Sequence, residues 1–91
     1  MELKWTSKAL SDLSRLFDFL VLASKPAAAR TVQSLTQAPV ILLTHPRMGE
    51  QLFQFEPREV RRIFAGEHEI RYEINGQTIY VLRLWHTREN R

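Results

Sequence analysis

The residues best suited to chemistry are crowded into the last third of the chain. Residues 58–91 hold seven arginines and five glutamates but no lysine. A guanidinium is planar and forks onto phosphate or carboxylate with two parallel hydrogen bonds. That bias points to a nucleic-acid or acidic-protein partner, and it also fits a solvated basic face. Tyr80 and His86 stand among Arg71, Arg83 and Arg88 and could move a proton. Other chemistries find no support. His45, His68 and His86 lack metal-ligand spacing, and there is no cysteine to supply a thiolate ligand, a nucleophile or a disulfide. The three glycines are scattered singly, so no phosphate-binding loop is present, and no serine sits in a nucleophile elbow. Neither a metal nor a cofactor is expected.

The elements that must position these groups are legible from periodicity. Glu2-Leu3-Lys4-Trp5 alternates as a short strand. Thr6 or Ser7 then offers a hydroxyl to cap a helix. Ala9, Leu10, Leu13, Leu16, Phe17, Leu20 and Val21 come next at the three–four spacing of one apolar face, which leaves Lys8, Ser11, Asp12, Arg15 and Asp18 for water. Ser24-Lys25-Pro26 breaks the pattern and opens a second helix, antiparallel to the first. Pro39 should kink or end that helix, with a last short turn over Val40–Leu43. Residues 44–59, with Pro46, Gly49 and Pro57, read as a loop with some β character around Leu52-Phe53-Gln54-Phe55.

Three strands close the chain. Val60–Phe64 is the first, and Ala65-Gly66 turns. His68, Ile70, Tyr72 and Ile74 then alternate with Glu67, Glu69, Arg71 and Glu73, and Thr78–Trp85 returns. Asn75-Gly76 predicts a two-residue type I′ hairpin. In that register Ile74 opposes Gln77, Tyr72 opposes Ile79 and Ile70 opposes Val81 on the core face. Glu69 opposes Leu82, Arg71 opposes Tyr80 and Glu73 opposes Thr78 on the other face, which continues through Leu84 and His86. Tyr72 and Trp85 fall to core packing. Arg61 and Arg62 point opposite ways, so only one of them faces the open surface. The expected fold is α+β: an N-terminal strand, then a helical hairpin packed on one face of a small antiparallel sheet, in the order strand–helix–helix–strand–strand–strand.

Ninety-one residues suit one domain spanning 1–91, and a domain of this size buries only roughly 60–65% of its unfolded surface. The net charge of +3 is uneven: +2 over residues 1–31, −1 over 32–57 and +2 over 58–91. Met1-Glu2-Leu3-Lys4-Trp5-Thr6 has no apolar run of a leader, and Phe17–Ala23 is too short to span a bilayer. A cytoplasmic chain with no membrane partner is expected.

The ordered segments carry a resemblance. Val60-Arg61-Arg62-Ile63-Phe64, His68-Glu69-Ile70-Arg71-Tyr72-Glu73-Ile74 and Ile79-Tyr80-Val81-Leu82-Arg83-Leu84-Trp85-His86 with Arg88 resemble the ParE toxins of the RelE/ParE superfamily, from type II toxin–antitoxin systems. Trp5-Thr6, Ala9, Asp12-Leu13, Pro26-Ala27-x-Ala29 and Pro46-Arg47-x-Gly49 extend the likeness over nearly the whole chain. The resemblance implies a growth-inhibiting toxin that binds DNA gyrase and is restrained by a cognate antitoxin, as a homodimer or as a heterotetramer with the antitoxin. Arg61, Arg71, Tyr80, Arg83, His86, Arg88 and Arg91 are then the candidate target-binding residues, with no catalytic group. The superfamily also implies an alternative, ribosome-dependent mRNA cleavage, for which His86, Arg71, Arg83 and Tyr80 would be the catalytic set. Glu69 stands where such a nuclease carries a phosphate-binding arginine, and residues 44–59 lack its lysines. A third reading is an inactive member that retains only antitoxin binding.

Overall fold

The computed structural model describes residues 1–89. The chain runs β1 (Glu2–Trp5), α1 (Ser7–Val21), α2 (Lys25–Gln37), a 3₁₀ turn (Ala38–Leu43), β2 (Glu50–Gln51), a second 3₁₀ turn (Phe53–Phe55), β3 (Glu59–Ala65), β4 (His68–Asn75) and β5 (Thr78–His86). The α+β expectation holds, with one correction to the sheet. It has five strands in the order β1-β5-β4-β3-β2, and β1 pairs with β5 in parallel. The N-terminal strand leads into the helices, so it lies at the sheet edge beside the last strand rather than forming a hairpin with its sequence neighbour. Among the described residues no helix is long and apolar enough to cross a membrane.

Thr6 joins sheet to helix. Its backbone N–H donates to Val81 O at 3.1 Å, and its hydroxyl donates toward Val81 O and Leu82 O at 3.0 and 3.1 Å. The same oxygen accepts from Ala9 N–H at 3.1 Å and so caps α1. Ser24 caps α2 in the same way, accepting from Ala27 N–H at 3.2 Å. Pro39 comes just after the end of α2, because its ring removes the donor that the next helical bond requires. Leu52-Phe53-Gln54-Phe55 does not extend: its last three residues form the second 3₁₀ turn, and the β pairing lies just upstream, at Glu50–Gln51 against Arg62 and Arg61.

The helices bury Ala9, Leu16 and Leu35 against Ile70, Val81 and Leu84 of the sheet, while Leu42 of the 3₁₀ turn packs on Tyr72, Ile74 and Ile79. Leu10, assigned to the inner face of α1, is exposed instead, and Asp12, assigned to water, is only 5% exposed. The inward row of α1 is Ala9, Asp12 and Leu16, at the three- and four-residue steps of one helical face. Asp12 is buried because β5 outruns its neighbour. β1 pairs only with Thr78–Val81, so the edge of β5 beyond that point has no strand partner on this side. The Asp12 carboxylate takes that place, accepting from Leu84 N–H at 3.0 Å and from Arg83 Nε and Nη2 at 2.7 and 3.1 Å.

The β4–β5 register differs from the expected one. Asn75 pairs with Thr78, Ile74 with Ile79 and Tyr72 with Val81, so Gly76 and Gln77 are the loop. Gly76 has φ +61°, and among the described residues no non-glycine residue has positive φ. These are the signs of a type II′ turn, with glycine at the first central position. Ala65-Gly66-Glu67-His68 repeats the arrangement, with Gly66 also at φ +61°. Further along the hairpin lies a bulge. Arg71 pairs with Arg83 and Ile70 with Leu84, leaving Leu82 unmatched. One extra residue reverses the faces of the rest of the strand. Leu84 joins the core under the helices, and Trp85 passes to the opposite face beside Glu69. The assignments of Leu84 and His86 to the open face, and of Trp85 to the core face, are therefore overturned.

The turn and the buried carboxylate can each be tested by stability. Gly76→Val places a β-branched residue at positive φ and should cost about 1 kcal/mol or more, read as a lowered midpoint in a denaturant melt. Asp12→Ala strips the acceptor from Leu84 N–H and Arg83 and should cost about 2–3 kcal/mol, with Asp12→Asn recovering part of the loss. An Asp12→Ala melt matching the parent chain would show that the edge of β5 needs no acceptor.

Candidate target-binding surface

The sheet face opposite the helices carries Arg58, Arg62 and Arg71. Glu69 is 6% exposed and central, accepting from Arg62 Nη1 at 3.4 Å and from Arg71 Nη2 at 3.3 Å. Arg62 also donates to Glu50 at 2.9 Å and lies 5.4 Å from the ring centre of Phe64. The Arg71 guanidinium stacks 4.7 Å from the Trp85 ring centre and 5.2 Å from that of Phe55. Its Nε is buried with no hydrogen-bond partner among the described residues. Aromatic faces favour a cation electrostatically, so the stack holds the charge that Glu69 neutralises from the side. At the far end of β4, Arg58 makes a two-pronged pair with Glu73 at 2.8 and 3.1 Å. Tyr80, half-buried, lies between Glu73 and Lys4 in register.

Arg61 faces the other way, opposite Tyr72. Its guanidinium donates to Glu59 at 2.9 Å and to Gly49 O at 2.8 Å. Tyr72 adds a second hold, its hydroxyl donating to Pro46 O at 2.7 Å and accepting from Gly49 N–H at 3.1 Å. Burial pushes the Tyr72 phenol up, so it stays protonated and able to donate. A Cβ on Gly49 would lie 2.6 Å from Arg62 O and from the Tyr72 hydroxyl, which only glycine avoids. The Pro46-Arg47-x-Gly49 pattern is thus the strap that Arg61 and Tyr72 fasten to the sheet.

His86 does not join Arg71 and Tyr80, because the bulge at Leu82 puts it on the helix side. There its ring meets His68 edge-on, 5.2 Å between centres. Its Nε2 lies 3.4 Å from Glu67, and its Nδ1 accepts from Arg88 N–H at 3.1 Å. Burial, then the neighbouring His86, pulls the His68 imidazole below its ordinary range, so it is neutral at pH 7. Arg83 is held by Asp12, which raises its pKa through that hydrogen bond. Arg88 is exposed in the turn after β5, and Arg91 lies outside the described residues.

Sequence reasoning missed three polar positions. Asp12 had a usable signal, since it sits three residues after Ala9 and four before Leu16 on the inward row. Arg15 and Glu89, joined at 3.1 Å, had none, because their pairing depends on where α1 crosses the end of β5. Among the described residues no cluster of three or more His, Asp or Glu could hold a metal ion.

Comparison with known proteins gives this geometry a place. The family profile described as ParE toxin of type II toxin–antitoxin system, parDE, matches residues 3–91. A solved structure of the chromosomal ParDE toxin–antitoxin system from P. aeruginosa is similar, at 27% identity and a TM-score of 0.79, covering 94% of this chain and 95% of that one. No curated protein matches the chain. With the family pattern covering all but the first two residues, and the fold agreeing with it, the chain belongs to the ParE toxins of type II toxin–antitoxin systems.

Proposed function

We propose that this chain arrests growth by binding DNA gyrase as one protein binds another, and that it cuts no RNA. The observation that carries the reading is the charge balance of the open sheet face. RNA cleavage needs unengaged cations around the scissile phosphate and a proton donor or acceptor facing them. Here Glu69 sits among Arg62 and Arg71, Arg71 is pinned between Phe55 and Trp85, and Arg83 is held by Asp12. The carboxylate opposes a phosphate with roughly 1 kcal/mol or more at surface dielectric. His86, the best acid or base of the set, is on the other face beside His68.

The resting partner in this reading is an antitoxin, as in the P. aeruginosa ParDE system. From Phe19 to Gly49 the chain has no acidic residue and carries Lys25, Arg30 and Arg47. Phe19, Leu22, Val40 and Ile41 are exposed along the same stretch. An acidic, amphipathic antitoxin segment that orders on binding suits such a basic and apolar surface. The assembly would be a heterotetramer with the antitoxin or a homodimer, and the site of action cytoplasmic.

Induction of the chain alone from a tight promoter should stop growth, and co-expression of the antitoxin should restore it. Normal growth at high soluble expression would favour an inactive member. Purified protein should inhibit gyrase supercoiling and promote gyrase-dependent DNA cleavage, while translating ribosomes show no new mRNA ends. Cuts in the ribosomal A site that disappear in His86→Ala would overturn the gyrase reading in favour of ribonuclease.

A further inference from the structure

Nine arginines lie among the described residues, and seven meet a carboxylate: Arg15, Arg47, Arg58, Arg61, Arg62, Arg71 and Arg83. Arg30 and Arg88 make no ion pair with any described residue. An arginine already held by a carboxylate must give up those bonds before it grips anything else, whereas an unengaged one brings all its donors to a new partner.

Both unengaged arginines border one end of the molecule. Arg30 of α2 lines, with Thr31 and Ser34, a groove of about 220 Å³ whose other wall includes Gly66, Glu67 and His68 of the β3–β4 turn. That turn also anchors the segment after β5, where Thr87 N–H donates to Glu67 O at 2.8 Å. Arg88 is the next residue, and its backbone is held on both sides. Its N–H donates to His86 Nδ1 at 3.1 Å, and Glu89 N–H donates to His86 O at 2.9 Å. The Glu89 carboxylate closes the turn by accepting from His86 N–H at 3.0 Å and meeting Arg15 of α1 at 3.1 Å. An exposed side chain on so constrained a backbone loses little freedom on binding.

We propose that this end of the molecule grips the target, with Arg30 and Arg88 as its two guanidinium contacts and protein carboxylates as what they take. The proposal rests on the reading of the chain as a toxin acting through protein contact. Carboxylates suit the site better than a nucleic-acid backbone. A phosphate strand calls for a run of cations, whereas this end offers two unengaged arginines. Arg15 and Glu89 act as positioning residues for Arg88.

The test compares Arg30→Ala, Arg88→Ala and their double variant with Arg58→Ala, an exposed arginine on the far side of the sheet that pairs with Glu73. Affinity is measured for purified gyrase holoenzyme over a salt series, for the antitoxin, and for a bare DNA duplex, with growth arrest scored in parallel. Each single substitution should weaken gyrase binding about tenfold and the double about a hundredfold, with a shallower salt dependence. Arg58→Ala should match the parent, and antitoxin affinity should hold within about twofold in Arg88→Ala and Arg58→Ala. Glu89→Ala should reproduce part of the Arg88→Ala loss, and Arg88→Lys should recover part of it. If the double variant inhibits gyrase and arrests growth like the parent, the surface is wrong and the toxin reading stands. If the parent arrests growth without binding gyrase, and the double variant fails to arrest it, the gyrase reading falls and the surface stands. A loss confined to the antitoxin, or to bare DNA, would overturn the proposal by assigning these arginines to another ligand.

Discussion

Much of this molecule depends on one carboxylate. β5 is a central strand for its first half and an edge strand for its second, because β1 leaves it after Val81. An unpaired backbone N–H at that edge, half-covered by α1, would be costly to leave without an acceptor. Asp12 supplies that acceptor from the helix, and the same carboxylate holds Arg83 and lies 3.8 Å from Arg15. Arg15 in turn meets Glu89. The height and rotation of α1 on the sheet, the end of β5 and the turn beyond it are therefore tied to one side chain, with Thr6 as the second anchor at the start of the helix.

The remaining charges obey a similar economy. Glu59 receives Arg47 and Arg61, Glu73 receives Arg58, and Glu69 receives Arg62 and Arg71. Exposed pairs of this kind contribute little individually. Their larger effect is on recognition, because a surface rich in arginine is nearly neutral wherever those pairs form. Among the described residues the cations that meet no carboxylate are Lys8, Lys25, Arg30 and Arg88, and none of them lies on the open face of the sheet.

How much of this is legible in the sequence differs by element. The two helices, the cap of the first, the break at Pro39 and the three closing strands are readable from periodicity and from proline and hydroxyl chemistry. The parallel placement of β1 is not, since nothing in Glu2-Leu3-Lys4-Trp5 says which strand it will join. Asp12 stands on the inward row by its spacing from Ala9 and Leu16, but a carboxylate on an amphipathic helix is ordinarily solvent-facing, and what the sequence does not show is the unfilled edge of β5 that gives it a partner inside. Alternation places Arg71 on the correct side of the sheet. It misplaces His86 and Trp85, because it runs straight through Leu82 and takes no account of the bulge.

That single unmatched residue has a consequence for comparing relatives. Two chains can share a histidine and a tryptophan at the same aligned columns and still display them on opposite sides of the sheet, if one has the bulge and the other runs straight. Between Val81 and Leu84 the number of residues, rather than their identity, decides which side chains meet the helices and which meet the solvent. Homologous residues at the end of this strand are thus matched in order without being matched in space, and ancestry in the alignment does not carry over to a role in the surface.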